Sequence, residues 1–90
     1  MKTHFPSVAV IGLGLIGSSF AAMYRNAYPD ARLVGIDVSA EAVNAALERG
    51  WIDEGHTSAE NLGEVLPTCE MVMIATPVPV ASDYFRVIAE

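Results

Sequence analysis

Cysteine is nearly absent from this chain. Cys69 is the only one in ninety residues, so no disulfide can form within it, and a reducing, cytoplasmic location is expected. Positive charge is scarce as well: five Lys and Arg stand against eleven Asp and Glu, for a net charge of −6. Lys2, Arg25, Arg32, Arg49 and Arg86 are scattered, which argues against partners such as nucleic acid or an anionic membrane. No apolar run approaches the roughly 20 residues that cross a bilayer. The apolar start is interrupted by glycines and followed by Ser18 and Ser19 without a cleavage context, so a signal peptide is not expected either. Histidine occurs twice, at His4 and His56, and neither lies in a catalytic pattern; no metal-binding set is expected. What remains is an apolar chain, 52% hydrophobic and 18% charged, which predicts one small packed unit. A chain of this length buries only about 60 to 65% of the surface it exposes when unfolded.

Strand and helix patterns alternate along it. Val8 to Ile11 is a continuous apolar run, the pattern of a strand covered on both faces. From Leu15 to about Ala27 the period becomes helical, with Ile16, Phe20, Met23 and Ala27 on one apolar face, and Tyr28-Pro29-Asp30 stops the helix. Arg32 to Asp37 reads as a second strand ending in an acid. Ser39 is placed to cap a helix over the following residues, with Glu41 in its first turn and Gly50 after its end. "WIDEGHTS" has room for a short edge strand, and "AENLGEVL" for a helical turn or two before Pro67. Glu70 to Thr76 is a further apolar strand, Thr76 to Pro79 a loop, and Val80 to Glu90 the start of another helix with Tyr84, Val87 and Ile88 on one face. The fold class is therefore α/β, a Rossmann-like parallel sheet with flanking helices.

The chemistry concentrates at the first strand-to-helix junction. Glycine inside regular structure costs roughly 0.5 to 1 kcal/mol relative to alanine, and three stand within six residues here. In Gly12-x-Gly14-x-x-Gly17, the first permits a tight turn, the second leaves room for a pyrophosphate and the third lets helix and strand pack closely. The backbone N–H groups near Leu15 and Ile16, helped by the helix dipole, would face the anion. Such a turn alone also serves simple helix-on-sheet packing. A second element stands in register, however: Asp37 ends the next strand twenty residues after Gly17, where a carboxylate accepts hydrogen bonds from the ribose hydroxyls of a dinucleotide. That carboxylate would repel the 2′-phosphate of NADP, and Val38 rather than an arginine follows it, so NAD is favoured; the fingerprint alone also admits FAD. Ser18 is a weaker phosphate candidate. Cys69 reads as a half-buried small hydrophobe and Trp51 as a residue packed on the preceding helix.

"VAVIGLGLIGSS", "LVGIDVSAEAVNAALERGWIDEG" and "CEMVMIATPV" together resemble the NAD-binding part of the prephenate dehydrogenases, including the related arogenate and cyclohexadienyl enzymes of tyrosine biosynthesis. The resemblance spans nearly the whole chain and includes Gly50-x-Ile52-Asp53 and the Ala75-Thr76-Pro77 turn. It implies that the strand at Met71 to Ala75 lies beside Val8 to Ile11, opposite Arg32 to Asp37, and that Thr76 and Pro77 approach the nicotinamide ribose. It implies, too, that residues 1–90 are a partial dinucleotide-binding domain. The family's Gly-Ser-Val-Lys and His-Pro segments, the latter bearing the catalytic histidine, and its helical substrate and dimerisation domain would then lie outside them. On this reading no catalytic residue is in the chain, which is expected to be inactive alone. The substrate of the complete enzyme would be prephenate or arogenate. Two alternatives stay open: another β-hydroxyacid-type dehydrogenase, and a non-catalytic module that senses NAD(H). An apolar edge at Met71 to Ala75 further predicts a homodimer.

Overall fold

Four parallel strands follow from the apolar runs. The structure, a computed structural model, describes residues 5–57 and 62–75. β1 is Ser7–Ile11, β2 Arg32–Ile36, β3 Glu54–His56 and β4 Met71–Ile74, in the sheet order β3-β2-β1-β4. All pairings are parallel, with Val10 opposite Gly35 on one side and Met73 on the other. β4 thus lies beside β1 and opposite β2, as expected. Val8, Ala9, Val10 and Ile11 are fully buried because each face of the sheet carries its own core. Val8, Val10 and Leu33 pack with Leu13, Ala21, Tyr24, Val43 and Ile52, while Ala9, Ile11, Val34 and Ile36 pack with Leu62 and Leu66. Burying each large aliphatic side chain contributes roughly 1.5 to 3 kcal/mol, which is why a central strand tolerates no polar side chain on either face.

The helices join these strands. α1 spans Leu15–Ala27 and closes at Tyr28, one residue before Pro29. α2 spans Ala40–Glu48; the Ser39 hydroxyl caps it by accepting from the Ala42 N–H at 3.2 Å. Its far end is a Schellman turn, with Gly50 at φ +72°, Gly50 N–H on the Leu47 carbonyl and Trp51 N–H on the Ala46 carbonyl. Trp51 packs against the core below α2, and the Arg49 guanidinium lies 5.0 Å over its ring. α3 is short, Leu62–Val65, and runs into a 3₁₀ turn, Leu66–Thr68. Cys69 is half-buried between this turn and β4, as expected. The loop expected at Thr76 to Pro79 and the helix expected at Val80 to Glu90 lie outside the described residues, as does His4.

The inward face of α1 differs from the expectation. Gly17, Ala21 and Tyr24 are the buried positions, whereas Ile16 is 68% and Met23 60% exposed, Ala27 is exposed and Phe20 half-buried. Close approach decides this. A Cβ on Gly17 would lie 1.7 Å from the Gly12 carbonyl oxygen, so only the small-residue face of α1 can meet the sheet at its start. At the other end Tyr24 reaches the chain entering β1: its hydroxyl donates to the Phe5 carbonyl at 2.7 Å and accepts from the Phe5 N–H at 2.8 Å.

Candidate dinucleotide-binding site

β1 ends where Gly12 turns the backbone out of the sheet at φ +96°, a conformation that side chains resist. The Gly12 N–H still reaches the Ile36 carbonyl at 2.7 Å, extending the β1–β2 ladder by one step. The next amide, Leu13 N–H, finds no further backbone acceptor on β2 and donates instead to Asp37 Oδ2 at 2.7 Å. Gly14 then caps α1. It offers no side-chain hydrogen bond, and a Cβ added to it would meet nothing within 4 Å, so the space in front of it is open.

The first intrahelical bond of α1 runs from Ser18 N–H to the Gly14 carbonyl at 2.9 Å. Ahead of it the N–H groups of Leu15, Ile16 and Gly17 have no acceptor within the helix. α1 carries no acidic side chain in its own first turn. Leu15 and Ile16 are themselves 87% and 68% exposed. Ser18, the weaker phosphate candidate, has its hydroxyl turned inward, donating to the Leu13 carbonyl at 2.8 Å.

Asp37 follows β2 directly. Its backbone N–H donates to the His56 carbonyl at 3.0 Å, and its second carboxylate oxygen, Oδ1, accepts from the Ser39 N–H at 2.8 Å. Val38 beside it is exposed. On the other side of β1, the Ala75 N–H donates to the Ile11 carbonyl at 2.8 Å, which brings the end of β4 up to the same glycine turn. The carboxyl ends of β2, β1 and β4 therefore meet around Gly12, where the strand order sets β2 on one side of β1 and β4 on the other. Gly12, Gly14, Leu15, Ile16, Gly17 and Asp37 all stand at this end of the sheet; Thr76 and Pro77 lie outside the described residues. A groove of about 540 Å³ between α1 and α2 begins at the turn, at Leu13, Gly14 and Leu15, and runs past Ser18, Ser19 and four alanines to Arg49 and Trp51.

Among the described residues the one histidine is engaged away from this turn. His56 Nε2 lies 2.7 Å from Glu54 Oε2, and Glu54 also meets Arg32 at 3.3 Å. The hydrogen bond from His56, opposed by partial burial and reinforced by Arg32, holds the Glu54 carboxyl below its usual range. Among the described residues no group of three or more His, Cys, Asp or Glu side chains is placed to hold a metal. The Gly50 to Asp53 segment belongs to the scaffold. Asp53 Oδ2 accepts from the Leu33 N–H at 2.8 Å and pairs with Arg25, whose guanidinium also donates to the Gly50, Pro29 and Ala31 carbonyls. No signal in the sequence pairs Arg25 with Asp53, which lie 28 residues apart.

No family model matches the chain. Two curated proteins do: a prephenate dehydrogenase of Bacillus subtilis, 39% identical over 72 residues, and one of Lactococcus lactis subsp. cremoris, 34% identical over 82 residues. The chain's relatives are prephenate dehydrogenases. The two alignments cover 80% and 91% of this chain but only 19% and 22% of those proteins, so it spans about a fifth of their length. Among solved structures, prephenate dehydrogenase from A. aeolicus, in complex with hydroxyphenyl propionate and NAD+, superimposes with a TM-score of 0.86 at 26% identity. That match covers 98% of this chain and 30% of the A. aeolicus chain. The Rossmann-like fold and the resemblance to the prephenate dehydrogenase family thus rest on both sequence and structure.

Proposed function

We propose that this chain is the NAD-binding portion of a prephenate or arogenate dehydrogenase, and that its residues seat the cofactor while proton transfer is done by others. The observation that carries the reading is the glycine turn itself: an open Gly14, the first turn of α1 and the Asp37 carboxylate stand together at one end of the sheet. A diphosphate fits there, because a side chain at Gly14 would fill the space and an acid in the first turn would repel it, and neither is present. The N–H groups of Leu15, Ile16 and Gly17 would hold the diphosphate oxygens, and the unused lone pairs of Asp37 would accept from the adenosine ribose. NAD, when bound, supplies the hydride acceptor for a substrate that loses carbon dioxide.

Thr76 and Pro77, next along the chain from β4, would line the nicotinamide side. Because His56 is held by Glu54 at the sheet edge, the histidine that accepts the substrate's hydroxyl proton would belong to polypeptide outside these residues, with the substrate-binding helical domain. A cytoplasmic homodimer is part of the same reading. Calorimetric titration tests it: NAD+ should bind at least about tenfold more tightly than NADP+, since a charge-assisted hydrogen bond to the ribose contributes about 1.5 to 3 kcal/mol and the 2′-phosphate is repelled. Tighter binding of NADP+ would refute the assignment of Asp37. With prephenate or arogenate and NAD+, the ninety residues alone should show no turnover.

A further inference from the structure

The geometry points to a second task for Asp37: it is a positioning residue that holds the glycine turn in shape before any ligand arrives. This rests on the dinucleotide reading of the site and adds a role that ribose recognition does not require. Each carboxylate oxygen already accepts one backbone N–H, Oδ2 from Leu13 at 2.7 Å and Oδ1 from Ser39 at 2.8 Å. The first of these bonds spans 24 residues and starts on the turn itself. The β1–β2 ladder runs out at the Gly12 N–H to Ile36 carbonyl bond, and the half-buried carboxylate supplies the acceptor that the backbone lacks one residue further on. The second bond closes an Asx turn onto Ser39, the cap of α2.

One side chain therefore joins the β1–α1 turn, the end of β2 and the start of α2. An ionised carboxylate has about four lone-pair directions, so two remain for ribose hydroxyls and both tasks are compatible. Leu13 is the residue on which Gly14 and the free amides of α1 depend for their placement: it is buried in the core below, its carbonyl takes the Ser18 hydroxyl, and its N–H is tied to Asp37. Loss of the tie leaves the turn free to open, and the amides then no longer converge on one anion.

The test uses Asp37→Ser, which keeps an oxygen near the Ser39 N–H as an ST turn but is too short to reach Leu13. Amide hydrogen exchange of the unliganded chain should speed up about tenfold or more at Leu13, with Val10 and Ile36 unchanged as reporters of the intact sheet. Inorganic pyrophosphate, which has no ribose, should bind several-fold more weakly to the variant. A residue that served ribose alone would give the opposite sign, because removing a negative charge beside an anion leaves pyrophosphate binding unchanged or tighter. Unaltered exchange at Leu13, or pyrophosphate binding that is unchanged or tighter, would overturn the proposal. A wild-type chain that binds neither NAD+ nor pyrophosphate would refute the dinucleotide reading instead, and the exchange at Leu13 would still decide whether Asp37 holds the turn.

Discussion

Residue by residue, the three glycines of the turn are required for different reasons, and substitution should separate them. Gly17 meets the Gly12 carbonyl: an added methyl would lie 1.7 Å from that oxygen and 2.8 Å from its carbon, both backbone atoms that cannot swing aside. Gly17→Ala is expected to lift α1 from β1 and to destabilise the chain by at least about 2 kcal/mol in urea unfolding. Gly14 meets nothing, and its φ of −73° is open to any residue. Gly14→Val should cost the fold about 1 kcal/mol or less, the difference between glycine and valine as an N-cap, and abolish NAD+ binding by occupying the diphosphate's place. If Gly14→Val bound NAD+ with unchanged affinity in calorimetry, the anion would not sit where the free amides point.

At the scale of elements, the clamp between Arg25 on α1 and Asp53 before β3 ties the far ends of two crossovers to β2. Burial opposes ionisation of Asp53, but the Leu33 N–H and the hydrogen bond and charge of Arg25 outweigh it and hold the carboxyl below its ordinary value of 3.8. A carboxyl lowered in the folded state stabilises the fold fully above its unfolded value and loses that contribution as pH falls through the folded one. Stability should therefore drop below about pH 4. Asp53 is half exposed, so solvent screening limits the effect. Asp53→Asn should cost about 1 kcal/mol at pH 7 and flatten the decline in urea midpoint between pH 5 and pH 3, leaving the part due to Glu54. A variant that kept the wild-type slope would remove Asp53 from the acid response.

At the scale of the molecule, apolar surface among the described residues includes β4 and the outer side of α1, besides Phe5, Val38 and Leu47. Among the described residues β4 is the outermost strand beside β1, and its side chains are only half-buried. Ile16 and Met23 stand exposed on a helix whose one charged side chain, Arg25, is bound to carbonyls and to Asp53. An apolar outer strand together with an uncharged helix face favours pairing with another chain. Light scattering should give a mass near twice 9.6 kDa, and Met73→Lys should move it toward monomer or unfolded chain. A monodisperse, folded monomer at high concentration would show the edge to be protected.

Local pattern determined a great deal. α1 runs from Leu15 to Ala27 and Ser39 caps α2 because glycine, proline and hydroxyl signals act over three or four residues and need nothing distant. The apolar runs of β1 and β4 announced strands in a sheet with both faces in view, and the spacing from Gly17 to Asp37 placed an acid at the turn. What the tertiary structure alone decided depends on segments far apart in sequence. The longer apolar stripe of α1, Ile16-Phe20-Met23-Ala27, reads as the core face until the sheet's closeness to Gly17 selects the smaller Gly17-Ala21-Tyr24 side. Asp37 reads as a ribose acceptor from its position, but that it already holds Leu13 follows only from where the end of β1 passes the end of β2. Arg25 and Asp53, 28 residues apart, meet because two right-handed crossovers bring their ends to one place, and hydrophobic period carries no information about that distance.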